Sequence, residues 1–218
     1  MMCAIVRGGV NGERGSALLI VLLAATLIGA VAAALVVTST TETLVSGAYR
    51  TSREALYGTD AVLEAAIHDL AGIADWSVVL AAEPGNVTAS FSDGNARPLA
   101  PDGRVLSLVT LTANRQAASD ALYGPAAFGA DAPRWRLFAH AALGAILPPG
   151  AAAAPVYVLV WVADDGSDGD GNPSRDTNGR LLIYAEGFGS GGARRPLEAA
   201  ITRAGTGVVR LAAWKDAR

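Results

Sequence analysis

Residues 16–37, SALLIVLLAATLIGAVAAALVV, constrain the chain more than any other stretch. They are apolar except for Ser16 and Thr26, and no charged residue occurs between Arg14 and Glu42. A helix rising about 1.5 Å per residue over this length crosses a hydrocarbon core of about 30 Å. Two arginines, Arg7 and Arg14, precede the run. The positive-inside rule therefore keeps the N-terminus in the cytoplasm and sends the remainder across. Ala30-Val31-Ala32 and Ala32-Ala33-Ala34 also satisfy the small-x-small rule of a cleaved secretory signal, but the apolar run continues through Leu35-Val36-Val37, past the usual length of a signal core.

Nothing after Val37 stops a helix, and proline is absent until Pro84. Leu56, Leu63, Ile67 and Leu70 recur at spacings of seven, four and three, with Arg53, Glu54, Asp60, Glu64 and Asp69 mostly elsewhere on the wheel. The spacing predicts one helix, apolar all round at first and amphipathic to about residue 70, roughly 80 Å long. Gly29, Gly47 and Gly58 each lower helix propensity by about 1 kcal/mol relative to alanine and are the expected points of bending.

From residue 83 the pattern changes to short runs rich in β-branched and apolar residues, bounded by Pro, Gly, Asn and Asp. Strands are expected over 87–92, 104–112, 135–143, 155–162, 180–186 and 196–203, with a weaker one over 208–214. Residues 113–133 read as loop with a helical turn. The unbroken apolar run of 155–162 predicts a strand buried on both faces. The expected fold is α+β, with a long N-terminal helix, transmembrane then amphipathic, packed on an antiparallel β-sheet head. The organisation expected is a leader at 1–15, a transmembrane segment at 16–38, its amphipathic continuation at 39–72 and a β-rich head at 73–218.

Arg14-Gly15 followed immediately by Ser16-Ala17-Leu18-Leu19-Ile20-Val21-Leu22-Leu23 resembles the N-terminal region of type IV pilin-like proteins. Within that group it is closest to the PilX-type minor pilins and the K-type minor pseudopilin of type II secretion. Residues 38–53 and Tyr57-Gly-Thr-Asp-Ala-Val-Leu-Glu-Ala-Ala66 are also similar to the PilX-type pattern. The resemblance covers about the first 70 residues and implies a pilin-like architecture. It also implies cleavage by a prepilin peptidase after Gly15, with methylation of the new terminus at Ser16. Leu18, Leu19, Ile20, Leu22, Leu23 and Gly29 would lie in the membrane and assembly helix. The partners implied are the bacterial inner membrane and other pilin or pseudopilin subunits, in a surface or periplasmic filament with the head outside the cytoplasm. Most pilins carry phenylalanine first and glutamate fifth in the mature chain, where this sequence has Ser16 and Ile20. The family's glutamate neutralises a neighbour's terminal amine in the fibre, and a charge in that apolar bundle is expensive unless paired. Ile20 cannot do so, and the K-type tip subunit shares this lack, so a minor position at the start or tip of a filament is expected.

Chemistry elsewhere is sparse. With 17 basic against 20 acidic residues there is no electrostatic case for nucleic acid. The single cysteine, Cys3, leaves the head without a disulfide or thiolate metal site. No nucleophile with its base and no phosphate-binding loop stands out, so no enzyme and no resident cofactor is expected. His68 and His140 read as packed or surface residues, and Asn86-Val87-Thr88 as a chance glycosylation match. The acidic loop 164–179 offers the one metal reading. Asp164, Asp168, Asp170, Asn172 and Asp176 supply oxygens suited to calcium, and 168, 170 and 172 alternate like the first half of a calcium loop. Pro173 and Gly179 then break the EF-hand pattern, and Asp, Asn and Gly favour a solvated hairpin turn in any case. The competing reading of the whole chain is a single-pass, membrane-anchored extracytoplasmic binding module, in which calcium would act on the head.

Overall fold

The computed structural model describes residues 11–82, 89–148, 150–151, 153–204 and 207–217, with side chains from residue 15 onward. Most of the leader, the Asn86 motif and the first part of the run at 87–92 lie outside the described residues. The chain divides into two compact units, Met1–Gly47 and Ala48–Arg218.

Helix α1 spans Asn11–Gly72, 62 residues without interruption, so Gly29, Gly47 and Gly58 do not break it. In its threonine-rich middle the hydroxyls bond back to carbonyls one turn earlier. Thr38 Oγ1 donates to Ala34 O at 3.0 Å, Thr41 Oγ1 to Val37 O at 2.9 Å and Thr43 Oγ1 to Ser39 O at 2.9 Å. Such back-bonding removes free hydroxyls from the helix surface.

In the second unit, α1 is followed by the single-turn α2 (Ser77–Leu80), then α3 (Leu108–Tyr123), α4 (Pro125–Phe128), β1 (Arg136–Ala142), α5 (Leu143–Ile146), β2 (Tyr157–Asp164), β3 (Arg180–Phe188), β4 (Arg194–Arg203) and β5 (Val209–Asp216). The strands form one antiparallel meander in the order β1-β2-β3-β4-β5. The α+β expectation, a long N-terminal helix on an antiparallel sheet, holds.

Strand β2 is buried at all eight positions. Val158, Val160 and Val162 join Ile183, Leu197 and Ile201 beneath Val62, Leu63, Ala66 and Leu70 of α1. The alternate residues Leu159, Trp161 and Ala163 meet Leu106, Trp135 and the α3 residues Leu108 and Leu111 on the other face. Period-two alternation thus feeds two cores, which is why the run carries no polar position before Asp164.

α1 lies close to the sheet at β3. Thr59 is fully buried, and its hydroxyl lies 2.8 Å from both Ala55 O and Arg195 O. A Cβ on Gly187 would fall 2.4 Å from Thr59 Oγ1 and 2.7 Å from Ala55 O, so glycine is required there for the helix to approach. The carbonyl end of α1 carries no basic residue in its last turn. Instead Arg203 of β4 reaches across, donating to Leu70 O at 3.2 Å, Ile73 O at 2.5 Å and Ala74 O, with its guanidinium 4.3 Å from the Trp76 ring centroid. Trp76 Nε1 donates to Leu70 O at 2.9 Å. These bonds take carbonyls that a helix end otherwise leaves to solvent.

The strand expected over 104–112 and the loop over 113–133 are corrected. Residues 98–106 form a small hairpin, with Leu106 N donating to Pro98 O and Ala100 N to Arg104 O, both at 2.8 Å. Ser107 then caps α3, its Oγ accepting from Thr110 N at 3.3 Å. Val109 and Thr110 favour a strand, but a strand would need one whole alternating face buried, and Val109 is 82% exposed. The cap, the Leu108/Leu111 pair on the core and the good helix formers of NRQAASDAL together outweigh β propensity.

Candidate functional site

Two regions carry the predicted site residues. In the first unit, Gly15, Ser16, Leu18, Leu19, Ile20, Leu22, Leu23 and Gly29 all lie on α1 and are exposed, as is every described side chain there. Leu19 and Ile20 are 67% and 68% exposed, and the apolar window of α1 is 0% buried among the described residues. α1 therefore contains one segment long and apolar enough to cross a membrane. Thr26 does not interrupt it, because its hydroxyl donates to Leu23 O at 2.9 Å.

The second region is the loop between β2 and β3. Antiparallel pairing sets Asp164 opposite Leu181, so the two ends of the loop must meet. Asp164 ends β2 and is 2% exposed, with Oδ1 accepting from Asp165 N at 2.9 Å. Asp168 folds back, its carboxylate accepting from Thr177 N at 2.9 Å and from the Thr177 hydroxyl. Asp176 accepts from Gly179 N at 2.8 Å. Carboxylate oxygens of Asp164, Asp168 and Asp176 lie within 4.8 Å of one another. Asp170 and Asn172 do not join them. They are exposed and make local turns, accepting from Asn172 N at 2.8 Å and Ser174 N at 3.1 Å. Gly169 and Gly171, at φ of 73° and 74°, supply the left-handed conformations that turn the loop tip. The carboxylate trio is therefore a different set from the alternating 168, 170 and 172. The convergent set is fixed by hairpin closure, and the signal for it was the aspartate ending the strongest strand together with one just before the turn at Gly179.

Electrostatically Asp164 and Asp176 favour the neutral state. Burial pushes the Asp164 carboxyl up to about 8, with Asp168 adding to it. Burial also raises Asp176, against the opposing pull of the Gly179, Arg180 and Asn178 amides. The neighbouring carboxylate Asp165 is held separately, by Asn178 Nδ2 at 2.7 Å and by Arg180 Nε at 3.9 Å. The trio can be relieved by a proton or by a hard cation, which takes oxygen ligands.

Stability should follow from this with a definite sign. The folded state holds a proton on Asp164 up to about pH 8, whereas the unfolded chain releases it near 3.8. Folding therefore binds protons in that window, and stability falls as pH rises from about 4 to about 8. In calcium-free buffer the melting temperature should drop across the window, Asp164→Asn should flatten the drop, and millimolar calcium at pH 8 should raise the wild-type value but not the variant's. A melting temperature indifferent to calcium would discard the cation.

A third polar cluster went unread in the sequence. His140 is buried in β1, its Nδ1 2.9 Å from Tyr157 Oη and 3.2 Å from Asp93 Oδ1, while Tyr157 donates to Asp93 Oδ2 at 2.8 Å. Burial lowers the imidazole despite Asp93, and raises the Tyr157 phenol. With Asp93 N donating to His140 O at 3.0 Å, the cluster pins the turn at residues 93–95 to the sheet. Its members are 64 residues apart at most, Asp93 to Tyr157, and no local spacing signals them.

Compared with protein-family models, with curated proteins and with solved structures, the chain matches none.

Proposed function

We propose that this chain is a membrane-anchored, non-enzymatic subunit of a type IV pilus-like or secretion-type filament, a minor pilin or pseudopilin placed at the start or tip. The observation that carries the reading is α1 itself. One unbroken helix is bare and apolar from Leu18 to Val37, yet supplies buried core residues from Ala55 to Leu70. A plain anchor needs only a span, and a cleaved signal has no reason to continue as the core helix of the head.

In this reading residues 16–37 hold the subunit in the bacterial inner membrane, N-terminus in the cytoplasm, until assembly. They then pack against sister helices. Lipid gives no hydrophobic drive to that association, so close contact matters, and Ala24, Ala25, Gly29 and Ala30 supply small surfaces for it. Prepilin peptidase cleaves after Gly15, and Ile20 marks a subunit with no terminal amine ahead of it to neutralise.

N-terminal mass spectrometry of the mature protein tests this. A methylated start at Ser16 is expected, lost when Gly15→Leu leaves the leader attached, and a start after Ala32 or Ala34 overturns the reading. The convergence of Asp164, Asp168 and Asp176 favours a second reading, an anchored binding module whose head responds to calcium. Sheared filaments separate the two, since they contain the protein under the first and lack it under the second.

A further inference from the structure

The sheet has two edges, and they are treated differently. β5 carries Arg210, Lys215 and Asp216, charges of the kind that discourage strand addition, whereas β1 carries Arg136 alone besides His140. On the outer side of β1, Trp135 N donates to Gln116 Oε1 at 2.8 Å and His140 O accepts from Asp93 N at 3.0 Å. Among the described residues, no backbone hydrogen bond from outside the sheet meets the strand between those two points. A cleft of about 1070 Å³ lies along this stretch. Its walls include positions from 134 to 140, a run of about 20 Å at 3.3 Å per residue.

The walls combine two chemistries. Val105, Leu106, Leu108 and Phe138 are apolar. Among the described residues, Arg97, Arg134 and Arg136 are the charged ones in the lining, and no carboxylate is with them. The Arg136 guanidinium is committed, donating to Ala82 O and Ser174 Oγ, both at 3.0 Å. Arg97 and Arg134 are exposed, and among the described residues their guanidinium groups make no ion pair. Trp135, another wall residue, is 5% exposed and its buried indole N–H has no partner among the described residues. Buried donors of this kind are uncommon without a partner.

The geometry points to a docking site for an extended acidic peptide segment of a partner protein, which adds to the outer edge of β1 as a sixth strand. Main-chain bonds to the unpaired stretch supply affinity, and alternate side chains supply selectivity. One face of the incoming strand sets apolar side chains against Val105 and Leu108. Its carboxylates meet Arg97 and Arg134, for which charge-assisted bonds are the strong ones. A small amphipathic anion would use the same walls but has no use for the backbone edge. This surface lies wholly in the second unit and is independent of how the N-terminal segment is processed.

The test uses the full chain in detergent micelles and three labelled eight-residue peptides followed by fluorescence anisotropy. The first alternates valine with aspartate and threonine, the second has lysine for aspartate, and the third is the acidic peptide with a central proline. The acidic peptide is expected to bind saturably, and the lysine and proline peptides at least about tenfold more weakly. Arg97→Glu with Arg134→Glu, both at exposed positions, should weaken the acidic peptide by about tenfold or more. Hydrogen exchange at the outward-facing amides of residues 136–139 should slow only with that peptide. Equal binding of all three peptides, tolerance of proline, or indifference to the double variant overturns the proposal. So does binding of decanoate to the cleft with no binding of the acidic peptide.

Discussion

Gly187→Ala should destabilise the second unit by about 2–4 kcal/mol, one of the two largest losses expected of any single change considered for this chain. The added methyl would sit 2.4 Å from Thr59 Oγ1 and 2.7 Å from Ala55 O. The hydroxyl can rotate, although it then abandons its contacts with Ala55 O and Arg195 O. The carbonyl belongs to the backbone of α1 and moves only if the helix lifts off the sheet. At about 2–4 °C per kcal/mol for a chain of this size, the melting temperature should fall by about 5–15 °C. Gly29→Ala and Gly47→Ala are the controls, because a Cβ at either meets nothing within 4 Å and alanine improves helix propensity. Combining Gly187→Ala with Thr59→Ala removes the side-chain clash and leaves the backbone one, so recovery should be partial. A Gly187→Ala protein within about 0.5 kcal/mol of wild type would show that the helix does not approach the sheet as closely as described.

Arg203→Met should cost about 2–4 kcal/mol, through loss of the donors to Leu70 O, Ile73 O and Ala74 O and of the stacking over Trp76. Methionine keeps most of the apolar stem, so the loss is that of the guanidinium. Arg203→Lys should recover only part of it, since one ammonium cannot reach three diverging carbonyls with the fixed fork of arginine. Hydrogen exchange provides the local readout. Amides in the last turn of α1, from Ile67 to Gly72, should lose protection well before those of β2. Uniform loss across the sheet, with the helix end unaffected, would place the effect of Arg203 elsewhere.

How far these features could be read in advance depended on whether their cause is local. The apolar run, the helical spacing that followed it and the content of β2 are all properties of neighbouring residues, and each was visible. Even so, Leu56 and Ile67, two of the four residues that set the expected helical face, are only partly buried, while Ala55, Val62 and Ala66 are fully so. A helix held close to a sheet buries small residues such as Ala55 and Ala66, to which hydropathy gives less weight than to leucine or isoleucine. Helix α3 was misread because Val109 and Thr110 look like strand residues, whereas Ser107 and the two leucines that meet the second core decide the outcome. The acidic trio depended on hairpin closure. The Arg203 contacts span 129 to 133 positions and have no local signature at all.

Those long-range bonds also govern when the head can be completed. Synthesis delivers α1 before β4, so the carbonyls at Leu70, Ile73 and Ala74 wait for the 129 to 133 positions of chain that separate them from Arg203. Until then β2, apolar on both faces, has its helix beside it but not the clamp that fixes the end of that helix. Contacts of such separation form late because loop closure precedes their reward. Chains stalled or trimmed before β4 would thus present a helix end whose carbonyls at Leu70, Ile73 and Ala74 lack the Arg203 donors.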